Sequence, residues 1–386
     1  MPQGRGLCYA EPMSSAYPGP GHDGPLPYDA SVPRGPSPAV PGPYSSLGPR
    51  PGEHFDASSL PQGDAYNRQP AVIDEQPASE APPRRTWLPI ILFLLTCAST
   101  FFVGCMRWVP LDYITSCFPP SSPYEPPAFH FDATPLRRAI YSNWDEGLIY
   151  MGCVLGILFA HEMGHFILTL VHRVRASYPY FIPLPITPTG TIGAVIAMDS
   201  RTADRRQIFD IGLAGPIAGL IVAIPVLIYG TAILDFEKPA SGGLTVGNPL
   251  LVELMLDYWQ PKGYDPDAGV AMSQANAFYM AGWVGLLVTG LNMMPVSQLD
   301  GGHVTYALLG RRAHLVARLF ILTVFAYMVL ALNFMWILMV LLVLFIGTDH
   351  PPTRDDRVPL GLFRTILGWL SLLIPVLCFA PRAILM

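Results

Sequence analysis

From about residue 88 onward, long apolar stretches alternate with shorter polar ones, and most stretches are long enough to cross a bilayer as a helix, which takes roughly 20 residues. The pattern predicts spans near 88–106, 147–171, 208–233, 275–294, 315–332, 334–347 and 361–379. The fifth and sixth share one apolar run of about 33 residues. That run is split at Asn333, because a single helix of such length would overshoot the hydrocarbon core. Before residue 88 the pattern changes to polar residues punctuated by runs such as Pro18-Gly19-Pro20 and Pro41-Gly42-Pro43, with few large aliphatics between them. Such a segment cannot bury a core and is expected to be disordered. The reading is therefore an all-α polytopic membrane protein of about seven spans with a small re-entrant β element between spans two and three, a disordered tail over 1–87 and an integral membrane domain over 88–386.

Composition supports this division. Hydrophobic residues make up 51% of the chain and charged ones 13%, about half the roughly 25% of a soluble domain. A net charge of -5 with no Lys/Arg-rich run leaves no electrostatic footprint for a nucleic-acid partner. The tail holds nine acidic residues against six Arg and no apolar core near Met1, which argues against a signal or transit peptide and keeps the first span in the mature protein. The six cysteines show no Cys-x-x-Cys spacing, so a cysteine zinc site or a disulfide scaffold is not expected. With the tail inside, the inner segments hold eleven Arg and the outer ones six Arg and Lys. This predicts a cytoplasmic N-terminus, and the tail's character points to a bacterial plasma membrane.

The chemistry lies in the second span, where His161-Glu162-Met163-Gly164-His165 puts three ionisable side chains into an apolar helix. His161 and His165 are four apart, share a helical face and can hold one zinc ion. Glu162 is rotated off that face and suits a general base rather than a ligand. A pair of ordinary helix histidines is the alternative, but a Glu at membrane depth costs about 2.5 kcal/mol or more unless it is partnered. A catalytic zinc normally takes three protein ligands. The fourth span ends in Asn292-Met293-Met294-Pro295-Val296-Ser297-Gln298-Leu299-Asp300-Gly301-Gly302-His303, and Asp300 is the best third ligand. At 1.5 Å per residue, His165 and Asn292 both lie about 24 Å from the outer face, so the two motifs can meet. Pro295 and Gly301-Gly302 predict an irregular stretch with a bend. Asn292 either hydrogen-bonds a substrate carbonyl or satisfies backbone freed by Pro295. His303 is read as structural, or as a substitute ligand.

Together, His161-Glu162-Met163-Gly164-His165 and Asn292-x-x-Pro295-x-x-x-Leu299-Asp300-Gly301 resemble the paired motif of the site-2 protease family, the zinc intramembrane metalloproteases, over most of residues 145–312. Phe209–Gly219 resembles that family's third core helix, whose small residues allow close helix approach. The resemblance implies a three-helix catalytic core, one Zn2+ per chain on His161, His165 and Asp300, Glu162 as base, and single-pass transmembrane substrates such as anti-sigma factors or transcription-factor precursors. The loop over 234–274 is too short for an inserted peptide-binding domain, which places the chain nearest the domain-poor bacterial and plastid members.

A helical substrate must unwind before it is cut, and something must hold the unwound strand. Pro179–Pro188 cannot be helix, while 190–198 reads as a strand that could take an extended substrate by β-addition, with Gly193 allowing close approach. The alternative is a re-entrant loop that only plugs the membrane face. The functional expectation is a zinc endopeptidase of regulated intramembrane proteolysis, acting near the cytoplasmic face. The competing reading is a metal-ion transporter or a non-catalytic membrane scaffold, since His and Asp in membrane helices also mark ion pathways.

Overall fold

The computed structural model describes residues 87–385 apart from 120–130, 241–243, 266–268, 297, 333–335, 349 and 381–383. The expected disordered tail and the expected break at Asn333 lie outside the described residues.

The chain opens with α1 (Trp87–Cys105), two short helices α2 (Pro110–Ser116) and α3 (Thr134–Ser142), and the long α4 (Trp144–Val171). A hairpin of β1 (Tyr180–Leu184) and β2 (Gly190–Val195) leads to α5 (Arg205–Ala232). Then come β3 (Thr245–Val246), α6 (Leu250–Trp259), β4 (Val270–Ala271), α7 (Ala277–Asn292), α8 (Asp300–Leu309), α9 (Ala313–Leu330) and α10 (Ile337–Ile346). The chain closes with α11 (Leu362–Ser371), α12 (Ile374–Cys378) and β5 (Ile384–Leu385).

Helix ends are set by local chemistry. Asp204 caps α5 by accepting from the backbone N–H of Arg206 and Gln207, and Gln207 returns a bond to the Asp204 N–H, a reciprocal box. Asn276 caps α7 through Tyr279 N–H at 2.9 Å. Its amide also donates to the Gly230 carbonyl at 2.8 Å, tying the end of α5 to the start of α7. Pro216 and Pro225 both sit inside α5 without ending it. Neighbouring membrane helices tolerate the lost donors.

α4 packs on α5 and α5 on α7, each pair antiparallel, with α1 against α4. Tyr150, Leu158, Leu227, Tyr279 and Trp283 fill the centre of this bundle. Small residues set the spacing: a Cβ on Gly104 would lie 2.8 Å from the Gly147 Cα, and one on Gly230 would overlap the Tyr279 backbone nitrogen.

The expectation of seven spans is met only in part. Among the described residues four helical stretches are long and apolar enough to cross: Trp87–Cys105, Trp144–Val171, Arg205–Ala232 and Asp300–Leu330. At 16 residues α7 covers about 24 Å, short of a hydrocarbon core of roughly 30 Å, because the chain leaves the helix at Met293. The fifth stretch begins at Asp300 rather than near 315. Gly301-Gly302, expected as a bend, forms the first turn of α8 instead. There a Cβ on Gly301 would overlap the Met293 carbonyl, so the glycine serves a close approach. The last stretch is interrupted between α11 and α12, where Pro375 begins a new helix.

Of the expected strand at 190–198, residues 190–195 form β2, paired antiparallel with β1, with a register shift between Ile182 and Pro183. The hairpin lies along α1, where Phe93 meets Phe181 edge-on at 5.1 Å. Its turn is fastened by side chains: Ser99 Oγ donates to the Gly190 carbonyl at 2.6 Å, and the Tyr150 hydroxyl to Thr189 at 2.9 Å. A second sheet, ordered β4-β3-β5, joins the α5–α7 connection to residues 384–385. Neither α6 nor this sheet was anticipated, because their apolar runs are too short to stand out from a loop.

Gly230→Ala is expected to destabilise the fold by about 1–3 kcal/mol, since α5 and α7 must separate to admit the methyl group. Thermal unfolding of the detergent-solubilised chain measures it.

Candidate metal centre

Two helical residues four apart project to one side, and α4 turns that side toward α5 and α8. His161 is 2% exposed, Glu162 4% and His165 8%. Asp300 reaches them from the first residue of α8: its Oδ2 is 3.1 Å from His161 Nε2 and its Oδ1 3.3 Å from His165 Nε2. One ligand atom from each of the three lies within 4.8 Å of the others. The structure thus brings together His161, His165 and Asp300, residues 139 positions apart at the extremes.

The protonation pattern suits a cation. His165 Nδ1 is 2.7 Å from the Ile211 carbonyl. A carbonyl only accepts, so Nδ1 carries a proton, and with a metal bound the ring would offer its Nε2 lone pair on the side facing Asp300. Nitrogen lone pairs and a carboxylate converging at 3.1–3.3 Å repel one another unless a positive charge sits among them. Two imidazoles and one carboxylate form a donor set that zinc accepts, so these residues fit the ion.

Room for the rings comes from α5. A Cβ on Gly215 would overlap His165 Nε2, and one on Gly219 would lie 3.0 Å from His161 Nδ1. The sequence marked these small residues only as a close-packing helix face, and the imidazoles occupy that space. Pro216 adds a second effect. Lacking an N–H, it cannot donate to the Gly212 carbonyl four residues before it, one residue from Ile211.

A cavity of about 130 Å³ adjoins the three residues. Glu162 lines it and makes no hydrogen bond or ion pair with any described residue. Asn292 also lines it, with Nδ2 3.3 Å from His161 Nε2, which matches the depth expected from residue counting. Ala194, Val195, Ile196 and Met198, from the end of β2 onward, also line it. Gly193 is not among the lining residues. It pairs with Ile182 across the hairpin at φ +121°, and its nearest neighbour would be Val288 Cγ1, 3.8 Å from an added Cβ. His303 borders the cavity, but its Nδ1 is engaged by His350 Nε2 at 2.7 Å. His350 in turn has its Nδ1 against the Pro351 carbonyl and its ring stacked on Tyr306 at 4.3 Å. Sequence reasoning missed His350 and the Ile211 carbonyl. A lone His in a loop and a main-chain oxygen carry no motif.

Residues 149–336 match peptidase family M50. The chain is 31% identical over 315 residues to "Probable zinc metalloprotease EGY1, chloroplastic" of Arabidopsis thaliana, covering 78% of this chain and 55% of that protein. It is 28% identical over 318 residues to the protein of the same name from Oryza sativa subsp. japonica, covering 78% and 52%. A shorter match, 28% over 170 residues, covers 43% of this chain and 29% of "Probable zinc metalloprotease EGY2, chloroplastic" of Arabidopsis thaliana. The chain thus spans about half the length of the first two relatives. No solved structure is significantly similar to it. With the paired motifs folded onto one cavity and both comparisons agreeing, residues 149–336 form a peptidase family M50 (site-2 protease) domain.

Proposed function

We propose that this protein is a zinc-dependent intramembrane endopeptidase that hydrolyses peptide bonds of transmembrane segments, near the membrane side bearing the N-terminal tail. The observation that carries the reading is Glu162: a carboxylate 4% exposed, beside the His161–His165–Asp300 group and lining the same cavity, yet without a bonding partner among the described residues. Leaving a buried carboxylate unpaired costs several kcal/mol, so such a group is retained for use. A transport site has no need of it, whereas hydrolysis does.

In this reading His161, His165 and Asp300 hold the ion, which supplies a Lewis acid for the scissile carbonyl and makes water a nucleophile at neutral pH. Glu162 takes the proton from the attacking water and delivers it to the amine nitrogen as the C–N bond breaks. Asn292 donates its amide to the substrate carbonyl oxygen. The edge at 194–198, on the cavity wall, supports pairing with an unwound substrate strand, and Gly193 in β2 keeps that strand's backbone free of a side chain. The hairpin lies beside residues 93–100 of α1, which supports a re-entrant position at membrane depth.

The substrates we propose are single-pass membrane proteins, with tethered regulators such as anti-sigma factors or transcription-factor precursors as the class suggested by family analogy. The arginine distribution over the expected spans supports a cytoplasmic N-terminus, and the tail's acidic, proline-rich composition is the basis for a bacterial plasma membrane. The names of the relatives, which say chloroplastic, lend that membrane no support.

Glu162→Gln is expected to cut a model transmembrane peptide at least about 100-fold more slowly in detergent or liposomes while binding zinc stoichiometrically. Normal cleavage by this variant would remove the general base from the reading. Asp300→Ala is expected to lower zinc content, measured by elemental assay of the purified chain, and full occupancy would move the third ligand elsewhere. Gly215→Ala should also lose zinc although every proposed ligand is retained, because its methyl group takes the space of the His165 ring.

A further inference from the structure

Three helices meet at one carboxylate outside the metal group. Asp210 of α5 accepts two hydrogen bonds from Arg364 of α11, Nε to Oδ1 at 2.7 Å and Nη2 to Oδ2 at 2.9 Å. On its other side His172 Nε2, at the C-terminal cap of α4, is 3.2 Å from Oδ2. The next residue along the chain is Ile211, whose carbonyl fixes the His165 ring. α11 lies against α5 at this level, where a Cβ on Gly368 would be 2.8 Å from Phe209 Cε2. Arg364 and Gly368 are four apart and share that face. The segment leading to Arg364 clasps the start of α5 as well: Arg354 N–H donates to the Ala203 carbonyl at 2.9 Å, Arg354 Nη2 pairs with Asp204 at 3.5 Å, and the Pro359 carbonyl accepts from Arg206 Nε.

We propose that Arg364 is a positioning residue for the metal site, acting through Asp210. This rests on the reading of His161, His165 and Asp300 as ligands. A guanidinium fork that grips both oxygens of a carboxylate fixes its orientation as well as its charge. Here the gripped carboxylate belongs to the turn of α5 that aligns His165, and it also touches the end of the helix carrying both histidines. Without the fork, Asp210 keeps only the 3.2 Å approach of His172, and α11 no longer holds this turn of α5. A small rotation of this turn shifts the Ile211 carbonyl and with it the His165 ring. Arg364 lies outside the stretch that matches the family, so a contact made by α11 helps build the metal centre from beyond that core.

The test compares wild type, Arg364→Gln, Arg364→Lys and Gly230→Ala as full chains in detergent. Zinc affinity is read by competition with a chromogenic chelator, and unfolding of the metal-free protein is followed in parallel. Arg364→Gln is expected to lose about 10–100-fold in zinc affinity, the range seen when the partners of metal ligands are removed. Arg364→Lys, which keeps the charge without the fork, should recover part of that loss. Gly230→Ala, at the far end of α5, should be destabilised with its zinc affinity retained. Unchanged affinity in Arg364→Gln overturns the proposal, as does a loss no greater than that of Gly230→Ala. If Arg364→Gln does not fold, Arg364→Lys decides, and wild-type affinity in it is the overturning result. Failure of the wild type itself to bind zinc would instead defeat the reading of the ligands.

Discussion

Two imidazoles can be buried side by side in a membrane helix only if the helix packed against them gives up its side chains there. α5 does so at Gly215 and Gly219, and the rest of the centre depends on this concession. The approach it permits brings the Ile211 carbonyl within 2.7 Å of His165 Nδ1. It also lets α8 enter behind α5, where Gly212 admits the His303 side chain, and so presents Asp300 to both rings. A methyl group at Gly215 would push the helices apart by more than any hydrogen bond in the centre can stretch.

A second constraint is the low polarity of the surroundings. Backbone that leaves a helix at depth must find partners without water. The stretch between α7 and α8 does this with its own main-chain bonds, Val296 N–H to Met294 and Leu299 N–H to Val296 among them. The hairpin turn takes its bonds from Ser99 and Tyr150. Irregular backbone thus occurs beside the cavity, held by its own main-chain bonds and, at the hairpin, by Ser99 and Tyr150, which do not line that cavity.

What the sequence disclosed and what it withheld divide along physical lines. His161, Glu162 and His165 were legible because charge in an apolar helix is costly and their spacing is short-range. Asp300 was legible because residue counting placed its loop at the same depth, as the 3.1 Å approach to His161 bears out. The count of spans was less legible. Hydropathy sees composition: it placed the end of α7 within two residues of Asn292, but it could not tell that Asp300–Leu330 would run on past Gly301, Gly302 and Gly310. His350, Ile211 and Arg364 were invisible, since their parts depend on tertiary contacts such as the 154-residue separation between Asp210 and Arg364. Residues 1–86 lie outside the described structure, and the expected disorder rests on their composition alone.

That separation also has a meaning in time. A membrane chain is threaded into the bilayer from its N-terminus as it is made, so α4, α5 and α8 are in place before α11 exists. At roughly 5–20 residues per second, the interval between the synthesis of Asp210 and that of Arg364 is on the order of ten seconds. Once Asp300 has been made, 90 residues into it, the nascent chain holds His161, Glu162, His165 and Asp300, while Asp210 has only His172 to face. The contact between α5 and α11 is therefore one of the last to close, and it couples the finished centre to the completion of the chain.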